Sequence, residues 1–170
     1  MLCINRLTFI RAYGKALIQL NKTIFVLLAE VFGVFIAKGK FASSPVVVLR
    51  AEDGRILPIY IGLAEATSIY SALNRYLPPR PMTHDLLVEI ISKLNGKVEK
   101  IVIDDLIDTT FYARIVLKQD DREIEIDARP SDSIAIALRI PCPIFIDPKV
   151  LDEAGLEEIP EGFVDFGQIS

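Results

Sequence analysis

The sequence predicts an α+β fold: a mixed or mostly antiparallel sheet of hairpins, with helices packed on one face. Three observations predict it. Short runs rich in Val and Ile are joined by tight polar turns, such as Asp53-Gly54. Helical periodicities follow hairpins rather than linking single strands, which argues against a doubly wound sheet. A strand–strand–helix unit also recurs at an offset of 67 residues, which carries Asp53, Arg55, Ile59 and Ile69 onto Asp120, Arg122, Ile126 and Ile136.

In chain order, residues 1–23 carry Arg6, Arg11, Lys15 and Lys22 and no acid, and read as an extension outside the domain. Ile24 to Ala37 is apolar but interrupted by Glu30 and Gly33. It falls short of the roughly 20 residues a membrane span needs and is expected to form buried strand. No stable membrane association is expected. Val46 to Arg50 and Arg55 to Ile61 form the first hairpin, with Leu57, Ile59 and Ile61 on its inner face. Helical spacing of Ala66, Ile69, Tyr70 and Leu73 then predicts a helix from Gly62 to about Tyr76, and the Pro-rich stretch 77–81 ends it.

Thr83 is the expected N-cap of the next helix, with Leu86, Leu87, Ile90, Ile91 and Leu94 as its buried stripe. Val98–Ile103 and Phe111–Leu117 read as strands around a polar turn from Asp104 to Thr109. Ile144–Ile146 reads as a short strand and Pro148–Ala154 as a short helix, and the domain is expected to span 24–157. Residues 158–170 read as a loose tail.

The most informative stretch is Glu123–Arg139. Ile124, Ile126 and Ala128 alternate with Glu123, Glu125, Asp127 and Arg129, the period of a half-buried strand. At Pro130 the period turns helical, and proline suits the first helical position. Asp127, Arg129, Ser131 and Asp132 therefore gather where a strand meets a helix start. Such a junction can hold an anion on its open N–H groups, or a cation on its carboxylates. The plainer alternative is a capped helix, with Ser131 or Asp132 on the orphan N–H groups and Arg129 paired to Asp127. The repeat places Glu65 in the position equivalent to Asp132, an acid in the first turn of each helix.

Of the 170 residues, 51% are hydrophobic and 25% charged, so the chain is globular, and its net charge of −4 gives no general basic footprint for nucleic acid. Cys3 and Cys142 match no metal spacing and fit a reducing compartment, so a cytoplasmic location is expected. There is no zinc spacing, phosphate loop or dinucleotide fingerprint.

Thr83–Leu86 (THDL) together with Asp127–Arg139 (DARPSDSIAIALR) resembles the bifunctional nuclease family. Pro45–Leu49, Leu57–Ala66, Pro78–Leu86 and Thr110–Ile115 support the resemblance in the family's order, over roughly residues 29–155. It implies hydrolysis of phosphodiester bonds in RNA and DNA. The family motif assigns no catalytic residues, so roles follow from chemistry.

His84 is the chain's one histidine, and with Asp85 and Asp132 it forms the candidate catalytic set for proton transfer. Arg80, Arg129 and Ser131 are candidate phosphate ligands. Glu65, Asp127 and Asp132 are candidate ligands for Mg²⁺ or Mn²⁺. Asp104, Asp105 and Asp108 read as a solvated turn rather than a second metal site. A homo-oligomer, a dimer in the simplest case, is expected through a sheet edge at the first apolar strand. The alternative function is a non-catalytic regulatory domain that binds an anionic ligand or a protein partner.

Overall fold

The computed structural model describes residues 25–40 and 42–168. The expected extension over residues 1–23 lies outside the described residues. Three antiparallel strands open the fold: β1 (Leu27–Lys38), β2 (Ser43–Ala51) and β3 (Ile56–Tyr60), followed by α1 (Leu63–Leu73). After α2 (Thr83–Lys93) the same layout returns as β4 (Gly96–Ile107), β5 (Thr110–Gln119), β6 (Arg122–Ala128) and α3 (Pro130–Ala137). β7 (Ile144–Ile146), α4 (Pro148–Ala154) and β8 (Phe163–Asp165) complete the chain.

The eight strands of the described residues share one sheet in the order β3-β2-β1-β7-β4-β5-β6, with β8 added beside β1. β7 runs antiparallel to β1 and parallel to β4, so β1 and β4 run in opposite directions. The two three-stranded halves are thus arranged head to tail about β7. This mixed sheet of hairpins is the predicted α+β architecture, and its repeat is the pattern read from the sequence.

The turns follow their residues. Gly54 sits at φ 96° in the β2–β3 turn, where Asp53 Oδ1 accepts from the Arg55 N–H at 3.0 Å. The β4–β5 turn is only Asp108-Thr109, both left-handed at φ 47° and 66°. Asp104 and Asp105, expected in that turn, lie in β4 instead. Asp104 accepts from Arg114 Nε and Asp105 pairs with Lys149, so two of the three acids are held in ion pairs on the sheet and Asp108 alone stays in the exposed turn.

The main core lies between the sheet and the helices. Val47, Leu49 and Leu57 from one half meet Ile101, Ile103 and Ile115 from the other beneath Ile69 of α1 and Ile134 of α3. A smaller cluster of Val46, Val48 and Ile56 fills the opposite face with Phe35 and Phe163. β2 is therefore covered on both faces, which is why its run of valines does not alternate.

β1 is an interior strand, with β2 on one side and β7 and β8 at its two ends on the other, and is not the sheet edge expected there. Phe163–Asp165, read as loose tail, pairs with Phe35–Ala37. The stripe on α2 is largely exposed: Leu86, Leu87, Ile90 and Leu94 face outward, while His84 is the helix's buried residue. β6 is a sheet edge, and Ile124 and Ile126 remain exposed although their register partners Leu117 and Ile115 are buried. α2 is capped at Met82 rather than Thr83: the Asp85 carboxylate accepts from the Met82 N–H at 2.8 Å.

Candidate active site

The repeat places the N-terminal turns of α1 and α3 side by side, and the two helices pack on each other. Their N-cap positions are Gly62 and Arg129, and neither has a side-chain cap. The first-turn N–H groups of both helices are therefore left without the capping bonds that Ser131 or Asp132 was expected to make. Between the two helix starts and the β4–β5 turn lies a cleft of about 480 Å³, lined by Tyr60, Glu65, Thr109, Thr110, Arg129 and Ser131 among others. Ser131 is buried, and its hydroxyl makes no hydrogen bond to a described residue.

Arg129 joins the two halves. Its Nε donates to Asp132 Oδ2 at 2.9 Å and its Nη2 donates to Glu65 Oε1 at 3.0 Å. The expected pairing of Arg129 with Asp127 is thus replaced by two acids at repeat-equivalent positions. The hydrogen bond to Asp132, with the neighbouring charges of Asp132 and Glu65, holds the guanidinium proton above its already high pKa. Nη1 makes no hydrogen bond to a described residue, and the side chain keeps 68% of its surface exposed. Gly62 gives this arrangement its room, because a Cβ there would collide with the Glu65 carboxylate.

His84 reaches the cluster from α2. Its Nε2 lies 3.1 Å from Asp132 Oδ1, and its Nδ1 lies 2.9 Å from Ser68 Oγ, one turn beyond Glu65 on α1. With Asp132 as carboxylate, a neutral ring donates from Nε2 and accepts the Ser68 hydroxyl proton at Nδ1. Both ring nitrogens are therefore engaged, and the imidazole stands behind Asp132.

Asp85 is bound elsewhere. Burial alone would raise its pKa, but hydrogen bonds from Arg139 and the Met82 N–H outweigh that and hold it below the usual carboxylate range. Arg139 also donates to Ala135 O at 2.9 Å and Ser68 O at 3.4 Å, carbonyls at equivalent places on the two packed helices. It thereby ties α1, α2 and α3 together.

The structure thus unites Glu65, His84, Arg129 and Asp132, with Ser131 in the adjoining cleft. It does not bring in Arg80, which is exposed on the loop between α1 and α2, or Asp127, exposed on β6 opposite Arg114. Among the described residues no three His, Cys, Asp or Glu side chains gather closely enough to share a metal ion. Arg129 already stands between Glu65 and Asp132, so the expected set of Glu65, Asp127 and Asp132 does not fit Mg²⁺ or Mn²⁺ in this arrangement. Ser68 and Arg139 were missed from sequence. Ser68 carried one usable signal, its i+3 spacing from Glu65 on a helix face.

Comparison with known proteins bears on what this cluster serves. The profile of the bifunctional nuclease domain matches residues 47–158. An uncharacterized protein of Mycobacterium tuberculosis is 45% identical over 115 residues, which cover 67% of this chain and 68% of that protein. Bifunctional nuclease 2 of Oryza sativa is 30% identical over 123 residues, and bifunctional nuclease 1 of Arabidopsis thaliana is 26% identical over 127. The matched stretches make up 38% and 39% of those two plant proteins. The matched span contains β3 to β7 and the four α-helices of the described residues, and with them every residue of the cluster. The chain belongs to the bifunctional nuclease domain family.

Proposed function

We propose that this domain hydrolyses phosphodiester bonds in RNA and DNA at the cleft between the starts of α1 and α3. The family supports a nuclease in general terms. The observation that supports this site within it is the exposed Arg129, fixed by Glu65 and Asp132 at the mouth of a cleft that two uncapped helix starts adjoin. Arg129 Nη1 and the first-turn N–H groups bind the phosphate and stabilise the negative charge on its non-bridging oxygens in the transition state. Asp132 accepts the proton of the attacking water. The new bond forms from the water oxygen to phosphorus, the bond to the departing sugar oxygen breaks, and that oxygen takes a proton from the Asp132–His84 couple. His84 acts through Asp132, held in one tautomer by Ser68, and is a positioning residue in this reading. Asp85 fixes the start of the helix that delivers it. Arg129 occupies the space between the two carboxylates that a divalent ion would need.

A second reading, a domain that binds an anion or a protein without cleaving anything, has one observation in its favour. Glu65 and Asp132 together outweigh the single charge of Arg129, so the site lacks the positive excess typical of nucleic-acid grooves. Cleavage of labelled single-stranded RNA and DNA by wild type and Arg129→Ala separates the two. Cleavage by the wild type that is lost in a folded Arg129→Ala supports hydrolysis here. Equal cleavage by both would rule out this site, and binding without cleavage would favour the second reading.

A further inference from the structure

We infer that the outer face of α2, continued by the edge strand β6, is a self-complementary surface on which a second copy of this chain docks. The inference does not depend on the reaction. Leu86, Leu87, Ile90 and Leu94 lie on the exposed side of α2, with Leu86 51% and Leu94 63% exposed. Ile124 and Ile126 of β6 add to the same side of the molecule, since their register partners Leu117 and Ile115 belong to the core beneath the helices. Gln119 Nε2 donates to Leu94 O at 2.6 Å, which anchors the end of α2 beside the β5–β6 hairpin. Isolated surface hydrophobics are ordinary, but four large ones on one helix face, with Ile124 and Ile126 exposed on the same side of the sheet, mark an interaction surface.

Charge placement selects the occupant. Glu89 and Lys93 share one flank of α2, one turn apart, and border a shallow groove of about 420 Å³ floored by Leu86, Ile90 and Leu94. When two copies of a helix pack antiparallel about a two-fold axis, each flank meets the same flank of its partner with the direction reversed. With the axis level with Ile90 and Ile91, Glu89 of each copy meets Lys93 of the other along one flank, and Leu86, Ile90 and Leu94 of the two copies face each other beside the two ion pairs. A partner with an all-basic or all-acidic rim would leave one of these charges opposed. The dimer expected from sequence is thereby assigned to α2 and β6 in place of β1.

Sedimentation velocity on the full chain tests the assignment over a concentration series. Wild type should sediment with twice the chain mass at the upper end, and Ile90→Asp should sediment with the chain mass throughout. Glu89→Lys and Lys93→Glu should each weaken association at least tenfold, and the double exchange Glu89→Lys/Lys93→Glu should recover most of it. That recovery separates pairing between copies from damage to the fold, and thermal unfolding of each variant verifies that it is folded. A wild type that stays monomeric overturns the proposal, as does an oligomer that Ile90→Asp leaves intact. So does a double exchange no stronger than the single changes.

Discussion

Arg129 Nη2 and Glu65 Oε1 meet at 3.0 Å although 64 positions separate them in the chain. The contact exists because the repeat places Gly62 where Arg129 stands in the second unit. One N-cap supplies the guanidinium, and the other leaves the space in which Glu65 can turn back to receive it. The two copies of the unit have thus diverged into donor and acceptor at their point of contact.

The first prediction follows from that pair. Arg129 is mostly exposed, so solvent screens the bridge and Glu65→Gln should lower unfolding free energy by less than about 1 kcal/mol. The same substitution frees one N–H of Arg129 and removes a negative charge beside the cleft. Affinity for single-stranded nucleic acid, measured by fluorescence anisotropy, should therefore rise. A fall would mean that Glu65 positions Arg129 more than it occupies it.

Ser68→Ala should cost more than its half-exposed position suggests. It leaves Nδ1 of a buried imidazole without its partner, at about 1–3 kcal/mol. Ser68→Thr keeps the hydroxyl and should recover much of the loss. Urea unfolding of the two variants tests the assignment, and equal stability of Ser68→Ala and wild type would contradict it.

Asp85 governs part of the response to acid. Its folded pKa is depressed, so its ion pair with Arg139 stabilises the fold above the ordinary carboxylate value of about 4, and that contribution is lost as pH falls through the lower folded value. Asp85→Asn should lower stability at neutral pH by a few kcal/mol at most, since it leaves the largely buried Arg139 without its anion. Its stability should also decline less steeply than that of wild type below about pH 4. Thermal midpoints recorded from neutral pH into that range give the comparison, and parallel curves would refute it.

How much could be read in advance depended on whether the signal was local. The two hairpin–helix units were legible because Asp53-Gly54 fixes a turn, Pro130 marks a helix start and Ile124-Glu125-Ile126 alternates. The equivalence of Glu65 and Asp132 was legible for the same reason. Burial was not. Leu86, Ile90 and Leu94 have the spacing of a buried stripe, yet periodicity shows only that a face is apolar and says nothing of what covers it. Ile124 and Ile126 misled in the same way, because alternation cannot tell an edge strand from an inner one. Phe163–Asp165 is too short to carry a pattern of its own. The Ser68–His84–Asp132 chain joins three helices, and no spacing within any one of them announces it.

In the proposed reaction Asp132, backed by His84 and flanked by Arg129, takes the proton of the attacking water. Single-turnover cleavage of one labelled single-stranded RNA by wild type and Asp132→Asn, on matched preparations with unfolding curves run alongside, tests it most directly. The variant should fold and cleave more slowly by about 10²-fold or more, since the amide cannot accept the proton. Unchanged cleavage by Asp132→Asn would contradict this role.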